Sequence, residues 1–308
     1  MSGAFVDDHT SGSGGVARAF LTSVERWVET DRSPDAASAH AALFALLREG
    51  QAAQPSMALV HQLAARAFRV SETSVARGDR AADLRRFVGD SCEVERRDLA
   101  AAVRDAAALA TRLVSAKQPW IATLSASEGV LAALHALAEA GRPPRVIVAE
   151  SRPRFEGRET ARALAAAGIE VWVVADAALP MLLSQAQALW IGADAVTEHG
   201  VLNKIGSYTA ALAAREHGVP VWAIAVRKKL LPATTGALGI AEMPPAEIWD
   251  APPAGVRPRN VYFEMVPNPL LRGVVVEDAV LGSTEVGVAA RDRELPSELA
   301  AALPGSIA

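Results

Sequence analysis

A chain of 308 residues that is 51% hydrophobic but only 5% aromatic is long enough for two ordinary domains, and its abundant alanine favours close-packed helices over a β-sandwich. The formal charge of −4 argues against the basic surface that non-specific nucleic-acid binding requires, and no apolar run approaches the roughly 18 to 20 residues of a membrane span. The single cysteine, Cys92, excludes an internal disulfide framework. The opening MSGAFVDDHTSGSGG has no basic flank before an apolar core, so a cytoplasmic protein without a secretory signal is expected.

In chain order, residues 1–13 read as a tail or loop. Val16, Phe20, Val24 and Trp27 then mark a helical face from Gly14 to Thr30. Asp31 to Pro34 break it. A second helix is expected from Asp35 to Glu49 with Gly50 as its stop, and a third from Gln54 to Val70 with Pro55 in its first turn. SETSVARGD reads as a turn, and Ala81 to Ala116 as a long helix. Residues 1–116 therefore form an N-terminal helical domain, and residues 117–308 a separate α/β domain.

Beyond Pro119 the period changes. Strands are expected at Trp120–Leu124, Arg145–Ala149, Val171–Ala175, Ala188–Ile191 and Val221–Ala225. Helices fall between them at Glu128–Ala140, Glu159–Ala167, Ala178–Ser184 and Tyr208–Glu216. Such alternation specifies βαβ units and a mostly parallel sheet. Trp120, Trp172, Trp190 and Trp222 all lie within strands, where they are expected to pack sheet against helix. After a Pro-rich stretch, Asn260–Val266 and Leu271–Val276 read as late strands, and the last dozen residues as a short helix or tail.

The strand ends carry the chemistry. Ser125 with Glu128 has the spacing of a capping box, and Ser125 or Ser127 also offers a hydroxyl to a ligand. Arg152, Arg154 and Arg158 cluster beyond the second strand, as an anion site or a solvated basic loop. Asp176 reads as a cap of the following helix. Asp194 follows the fourth strand, and Asn203, Lys204 and a helix start near Ser207 come soon after. A carboxylate, an amide and an ammonium on adjoining loops suit a phosphorylated, polyhydroxylated molecule. Arg227, Lys228 and Lys229 read as a surface run. Ser13 and Arg18, in and after the small-residue segment that opens the first helix, are weaker phosphate candidates. The scattered histidines have no HExxH or HxH spacing, so neither a metal nor a cofactor is expected.

The run AESRPRFEGRETARALAAAGIEVWVVADAA, followed by WIGADAVTEHGVLNKIGSYTAALAAREHGVPVWAIA, resembles a family signature. That family joins the α, β and δ regulatory subunits of translation initiation factor 2B, ribose-1,5-bisphosphate isomerase and methylthioribose-1-phosphate isomerase. Residues RNVYFEMVPNPLLRGVVVED are similar to its C-terminal segment, and SGSGGVARAF and QPSMALV carry a looser likeness. The resemblance implies a helical domain followed by a Rossmann-like one, a homodimer formed through the latter, and a sugar-phosphate or nucleotide pocket between the two. In the isomerases it implies acid/base conversion of an aldose 1-phosphate to a ketose 1-phosphate by a cysteine and an aspartate.

Asp194 occupies the aspartate position, whereas Ser125 stands where the cysteine belongs. A thiol titrates near ~8.5 and can be tuned toward neutrality, which an unactivated hydroxyl cannot match. The leading expectation is a factor-2B-like protein that binds a sugar phosphate or nucleotide through Arg152, Arg154, Asn203, Lys204, Ser127, Ser13 and Arg18, without the standard isomerase chemistry. The alternatives are an isomerase using Asp194 with a non-cysteine partner such as Glu128, and a protein-interaction module in translation regulation.

Overall fold

The computed structural model describes residues 12–232, 240–293 and 295–300; the N-terminal tail before Gly12 and the last residues of the expected terminal helix or tail lie outside them. Four helices come first: α1 (Ser13–Thr30), α2 (Ala36–Ala53), α3 (Ala58–Arg77) and α4 (Ala81–Ala110). Val16, Phe20 and Val24 of α1 pack with Leu43 and Leu47 of α2, Phe68 of α3 and Leu84 of α4 in one apolar core.

Several expectations fail here. Gly50 does not stop α2, which runs through it to Ala53, and Pro55 lies in the connection before α3 and not in its first turn. The SETSVAR segment is the last part of α3 and not a turn; the Ser71 hydroxyl donates to Phe68 O at 2.8 Å and meets His40 Nδ1 at 2.8 Å, so this polar side chain is satisfied without breaking the helix. Gly78, at φ 72, is the actual stop, its left-handed geometry closing the C-terminus as a side-chain-bearing residue rarely does. Likewise α4 ends at Ala110 rather than Ala116.

The second part contains β1 (Trp120–Leu124), α5 (Glu128–Glu139), β2 (Arg145–Ala149), α6 (Glu156–Ala166), β3 (Glu170–Val174), α7 (Leu179–Leu182) and β4 (Ala188–Ile191). A short pair, β5 (Ala195–Val196) and β6 (Gly200–Lys204), precedes α8 (Ser207–Glu216) and β7 (Val221–Ile224). The chain ends through β8 (Phe263–Pro267), β9 (Gly273–Val276), β10 (Ala279–Leu281), α9 (Ser283–Arg291) and α10 (Ser297–Ala300). Seven strands form one sheet in the order β10-β9-β7-β4-β1-β2-β3, parallel except for β10. This is the α/β architecture expected, a Rossmann-like sheet behind a helical layer.

Strand order reverses between β1 and β4, which are neighbours although β2 and β3 intervene in sequence. At such a switch point the loops leave in opposite directions and open a crevice outside the carboxyl ends of the strands. A second sheet, β5-β6-β8, was not anticipated; it makes Asn203 and Lys204 strand residues and not loop residues. Of the four strand tryptophans, Trp190 is fully buried, but Trp172 lies on the edge strand β3, 41% exposed, with its ring centroid 4.4 Å from that of Trp120. An edge strand has no second neighbour to cover it, which is why the expected core role fails there.

Candidate functional site

A cavity lies in the crevice, walled by the loops after β1 and β4, the start of α1, strand β6, and Tyr262 with Phe263 leading into β8. Close approach depends on Gly192: a Cβ there would lie 2.7 Å from both Cβ and Oγ of Ser127. Ser125 ends β1 in a left-handed conformation, φ 64, so the chain turns sharply before the helix begins. The cap of α5 is consequently Ser127, whose Oγ accepts the Val130 N–H at 3.4 Å. Glu128 does not reach back, because both its oxygens lie 2.9 Å from Arg18 Nη1. The Ser125–Glu128 capping box is therefore absent.

Six of the nine expected site residues line this cavity: Ser13, Ser125, Ser127, Asp194, Asn203 and Lys204. Asp194 is buried, and its backbone is fixed from two sides, its N–H donating to Leu202 O at 2.8 Å and its carbonyl accepting the Ala58 N–H at 3.0 Å. Burial pushes the Asp194 carboxyl up to about 6, against the opposing pull of Lys229, a hydrogen bond from Ser13 and the charge of Lys204. The Asn203 amide donates to Ser207 Oγ at 2.8 Å, and that hydroxyl donates to Lys204 O at 2.6 Å. Lys204 is almost fully buried; its Nζ meets Glu156 Oε1 at 2.5 Å and lies 4.6 Å from the centroid of the Tyr262 ring.

The remaining three are elsewhere. Arg18 pairs with Glu128 and lines a neighbouring, more apolar cavity. Arg152 lies over the Phe155 ring, 5.0 Å from its centroid. Arg154 binds Glu247 at 2.9 Å, and Glu247 also accepts from Asn260 and the Tyr262 hydroxyl, so Arg154 reaches the cavity only through that chain. Burial raises the Glu247 carboxyl, but the Tyr262, Asn260 and Arg154 hydrogen bonds outweigh it and leave it below its usual range. Arg158 binds Glu150 at 2.6 Å, so none of the three arginines lines the cavity. Asp176 caps no helix; its two oxygens each accept a backbone N–H at 2.8 Å, from Ser151 and Arg152.

Several residues of the wall, and Lys229 of the neighbouring cavity beside Asp194, escaped the sequence reading. Glu156 opens α6, two residues beyond Arg154, but nothing in its spacing distinguished it from a helix-start acid. Lys229 is not part of a surface run: its Nζ donates to Ala193 O at 2.5 Å beside Asp194, and burial lowers its affinity for the proton. Tyr262 arrives from a distant stretch, which no local pattern signals. Among the described residues no cluster of three or more His, Cys, Asp or Glu side chains is placed to hold a metal ion, and no helix is long and apolar enough to cross a membrane.

The curated relatives carry names of two kinds, sugar-phosphate isomerases and translation initiation factor eIF-2B subunit 2-like proteins, the latter including one of Pyrococcus horikoshii that is 35% identical over 159 residues, covering 51% of this chain and 55% of that protein. A ribose 1,5-bisphosphate isomerase of Archaeoglobus fulgidus is 35% identical over 159 residues, which cover 49% of this chain and 50% of that protein. A methylthioribose-1-phosphate isomerase of Cronobacter sakazakii is 33% identical over 173 residues, covering 51% of this chain and 50% of that one. The chain thus spans about half the length of the curated relatives it matches. The crystal structure of translation initiation factor eIF-2B from Pyrococcus horikoshii OT3 superposes with a TM-score of 0.77 at 26% identity, covering 90% of this chain and 94% of that one. The model of the initiation factor 2 subunit family matches residues 9–287, and the chain belongs to that family.

Proposed function

We propose that the chain binds a phosphorylated sugar in the switch-point cavity and does so without the cysteine-dependent isomerase chemistry. The observation that carries this reading is the convergence of Asp194, Asn203 and Lys204 with the opening turns of two helices on one cavity. Helix α1 begins at Gly12 with no side-chain cap, so its first N–H groups and its dipole favour an anion there, and α5 adds a second N-terminus at Ser127 and Glu128. Ser125 leaves Asp194 without a thiol partner. The domain division at 116/117 belongs to the same reading, as does a homodimer through the sheet-bearing part.

The buried Asp194 favours a second reading, aldose-ketose isomerisation with Asp194 as the acid/base group. A carboxyl near 6 exchanges protons readily at neutral pH. Titration calorimetry and a turnover assay with ribose 1,5-bisphosphate and methylthioribose 1-phosphate separate the two. Binding without turnover supports the first. Turnover that disappears in Asp194→Asn overturns it in favour of the second. If neither sugar phosphate nor any nucleotide binds, an interaction role in translation regulation replaces both.

A further inference from the structure

A second cavity, of about 120 Å³, lies beside the first, between the helical layer and the sheet. Leu21 of α1, Leu59 of α3, Leu99 and Val103 of α4, and Ile224 and Val226 at the end of β7 make its lining largely apolar. Arg18, Arg96, Glu128 and Lys229 supply its charges. Two of the three cations are committed, Arg18 to Glu128 at 2.9 Å and Arg96 to Glu25 at 2.7 Å. Lys229 is not. Its ammonium carries three N–H donors, and among the described residues it has one hydrogen-bond acceptor, Ala193 O at 2.5 Å.

Donors left over beside an apolar wall call for an acceptor that the chain does not supply. A carboxylate with a short hydrocarbon tail meets both demands, its charge pairing with the ammonium and its tail displacing water from leucine and isoleucine. The volume sets the size. An apolar cavity of roughly 150 Å³ holds benzene, so this one suits about six non-hydrogen atoms. A sugar phosphate is larger than that and has no apolar part to offer the wall.

The two cavities share a partition. Glu128 lines both, and Gly14, where a Cβ would lie 1.9 Å from Glu128 Oε2, lets that carboxylate lie against the start of α1. Lys229 reaches the same partition: its bond holds the carbonyl of Ala193, the residue before Asp194, and both of these line the first cavity. A carboxylate on Lys229 therefore sets a negative charge close to where α1 and α5 begin, and opposes an anion there.

We propose that the second cavity is an effector site for a short aliphatic carboxylate, which pairs with Lys229 and weakens sugar-phosphate binding in the first cavity across the shared partition. The site stands on Lys229 and the apolar lining; the weakening rests on the sugar-phosphate reading.

Ligand-observed NMR titrations of the full chain test the site with isobutyrate, its neutral isostere isobutyramide, and acetate, which lacks the apolar part. Isobutyrate is expected to bind about tenfold tighter than either, the order of one charge-assisted hydrogen bond. Ala100 is an exposed residue of the lining, so Ala100→Trp blocks the cavity from its rim. This variant is expected to lose isobutyrate and to bind ribose 1,5-bisphosphate as the wild type does, while Lys229→Met is expected to lose the preference for acid over amide. Calorimetry at constant ionic strength is expected to show ribose 1,5-bisphosphate bound about fivefold or more weaker in saturating isobutyrate, in the wild type and not in Ala100→Trp. No isobutyrate binding, equal binding of acid and amide, or binding that survives Ala100→Trp overturns the site. Sugar affinity unchanged by saturating isobutyrate overturns its effector role. If isobutyrate binds as expected and no sugar phosphate does, the sugar-phosphate reading falls and the carboxylate site is upheld. Should Lys229→Met not fold, Ala100→Trp and the wild-type comparison of acid with amide decide.

Discussion

The N–H of Ser125 donates to the Oγ of Ser151 at 2.7 Å, tying the carboxyl ends of β1 and β2 through two residues that both adopt left-handed backbone, φ 64 and 65. The Ser125 carbonyl is held as firmly, accepting the Thr160 hydroxyl at 2.7 Å. Position 125 is thus presented to the cavity by a braced backbone, whatever its side chain. In Ser125→Cys, a thiol enters the site without moving its frame. Coupled assays are expected to detect turnover of ribose 1,5-bisphosphate or methylthioribose 1-phosphate in the variant and none in the wild type, and the double variant with Asp194→Asn is expected to lose it again.

Gly192 has no room for a side chain. Its replacement in Gly192→Ala drives a methyl group against Ser127, which caps α5, and is expected to cost about 1–3 kcal/mol as overpacking usually does. Thermal melting reads the loss, and the stabilisation by added ribose 1,5-bisphosphate is expected to vanish with it.

Asp194 titrates at about 6 in the fold against an ordinary 3.8. Between those values the folded chain keeps a proton that the unfolded chain has released. Its stabilising contribution is complete below pH 3.8 and is lost as pH rises through 6, worth about 3 kcal/mol at ~1.4 kcal/mol per unit. Asp194→Asn is neutral throughout, so its stability relative to the wild type is expected to rise across that window in urea titrations.

His61 works in the opposite sense. It is wholly buried, its ring nitrogens 3.1 Å from Gln51 Nε2 and from Pro55 O, and burial lowers its pKa from 6.5 to about 4. The unfolded chain takes up a proton that the fold refuses, so this stability is full above pH 6.5 and is lost as pH falls through 4. His61→Gln is expected to flatten the acid limb of the stability curve, and the wild-type curve between pH 4 and 6 to be shallow because Asp194 and His61 offset one another.

Trp172 at 41% and Val173 at 48% exposure leave apolar side chains uncovered on both faces of the edge strand β3, and Met181 of α7 is 69% exposed; the dimer of the proposed function would cover such an edge. Sedimentation velocity is expected to give a dimer for the wild type and a monomer for Trp172→Arg combined with Met181→Glu.

Periodicity and punctuation made most of the scaffold legible. The alternation from Trp120 to Ala225 specified a parallel sheet because strand and helix periods differ and each βα unit is local. Where a signal was ambiguous, the reading slipped: Ser71 and Ser74 looked like a turn, although their hydroxyls are satisfied within the structure.

The sequence by itself determined the α/β class, the family signature, and the placing of Asp194 just beyond the end of β4, whereas Asn203 and Lys204, read as loop residues, belong to β6. Only the tertiary structure decided which charges face the cavity. Arg152 lies over Phe155 and Arg154 binds Glu247, whereas Lys229, Glu156 and Tyr262 come into the wall or beside it from separate segments of the chain. The physical reason is that a residue's period along the chain fixes its element and face, but the partner that claims a charged side chain is fixed by contacts between segments far apart in sequence.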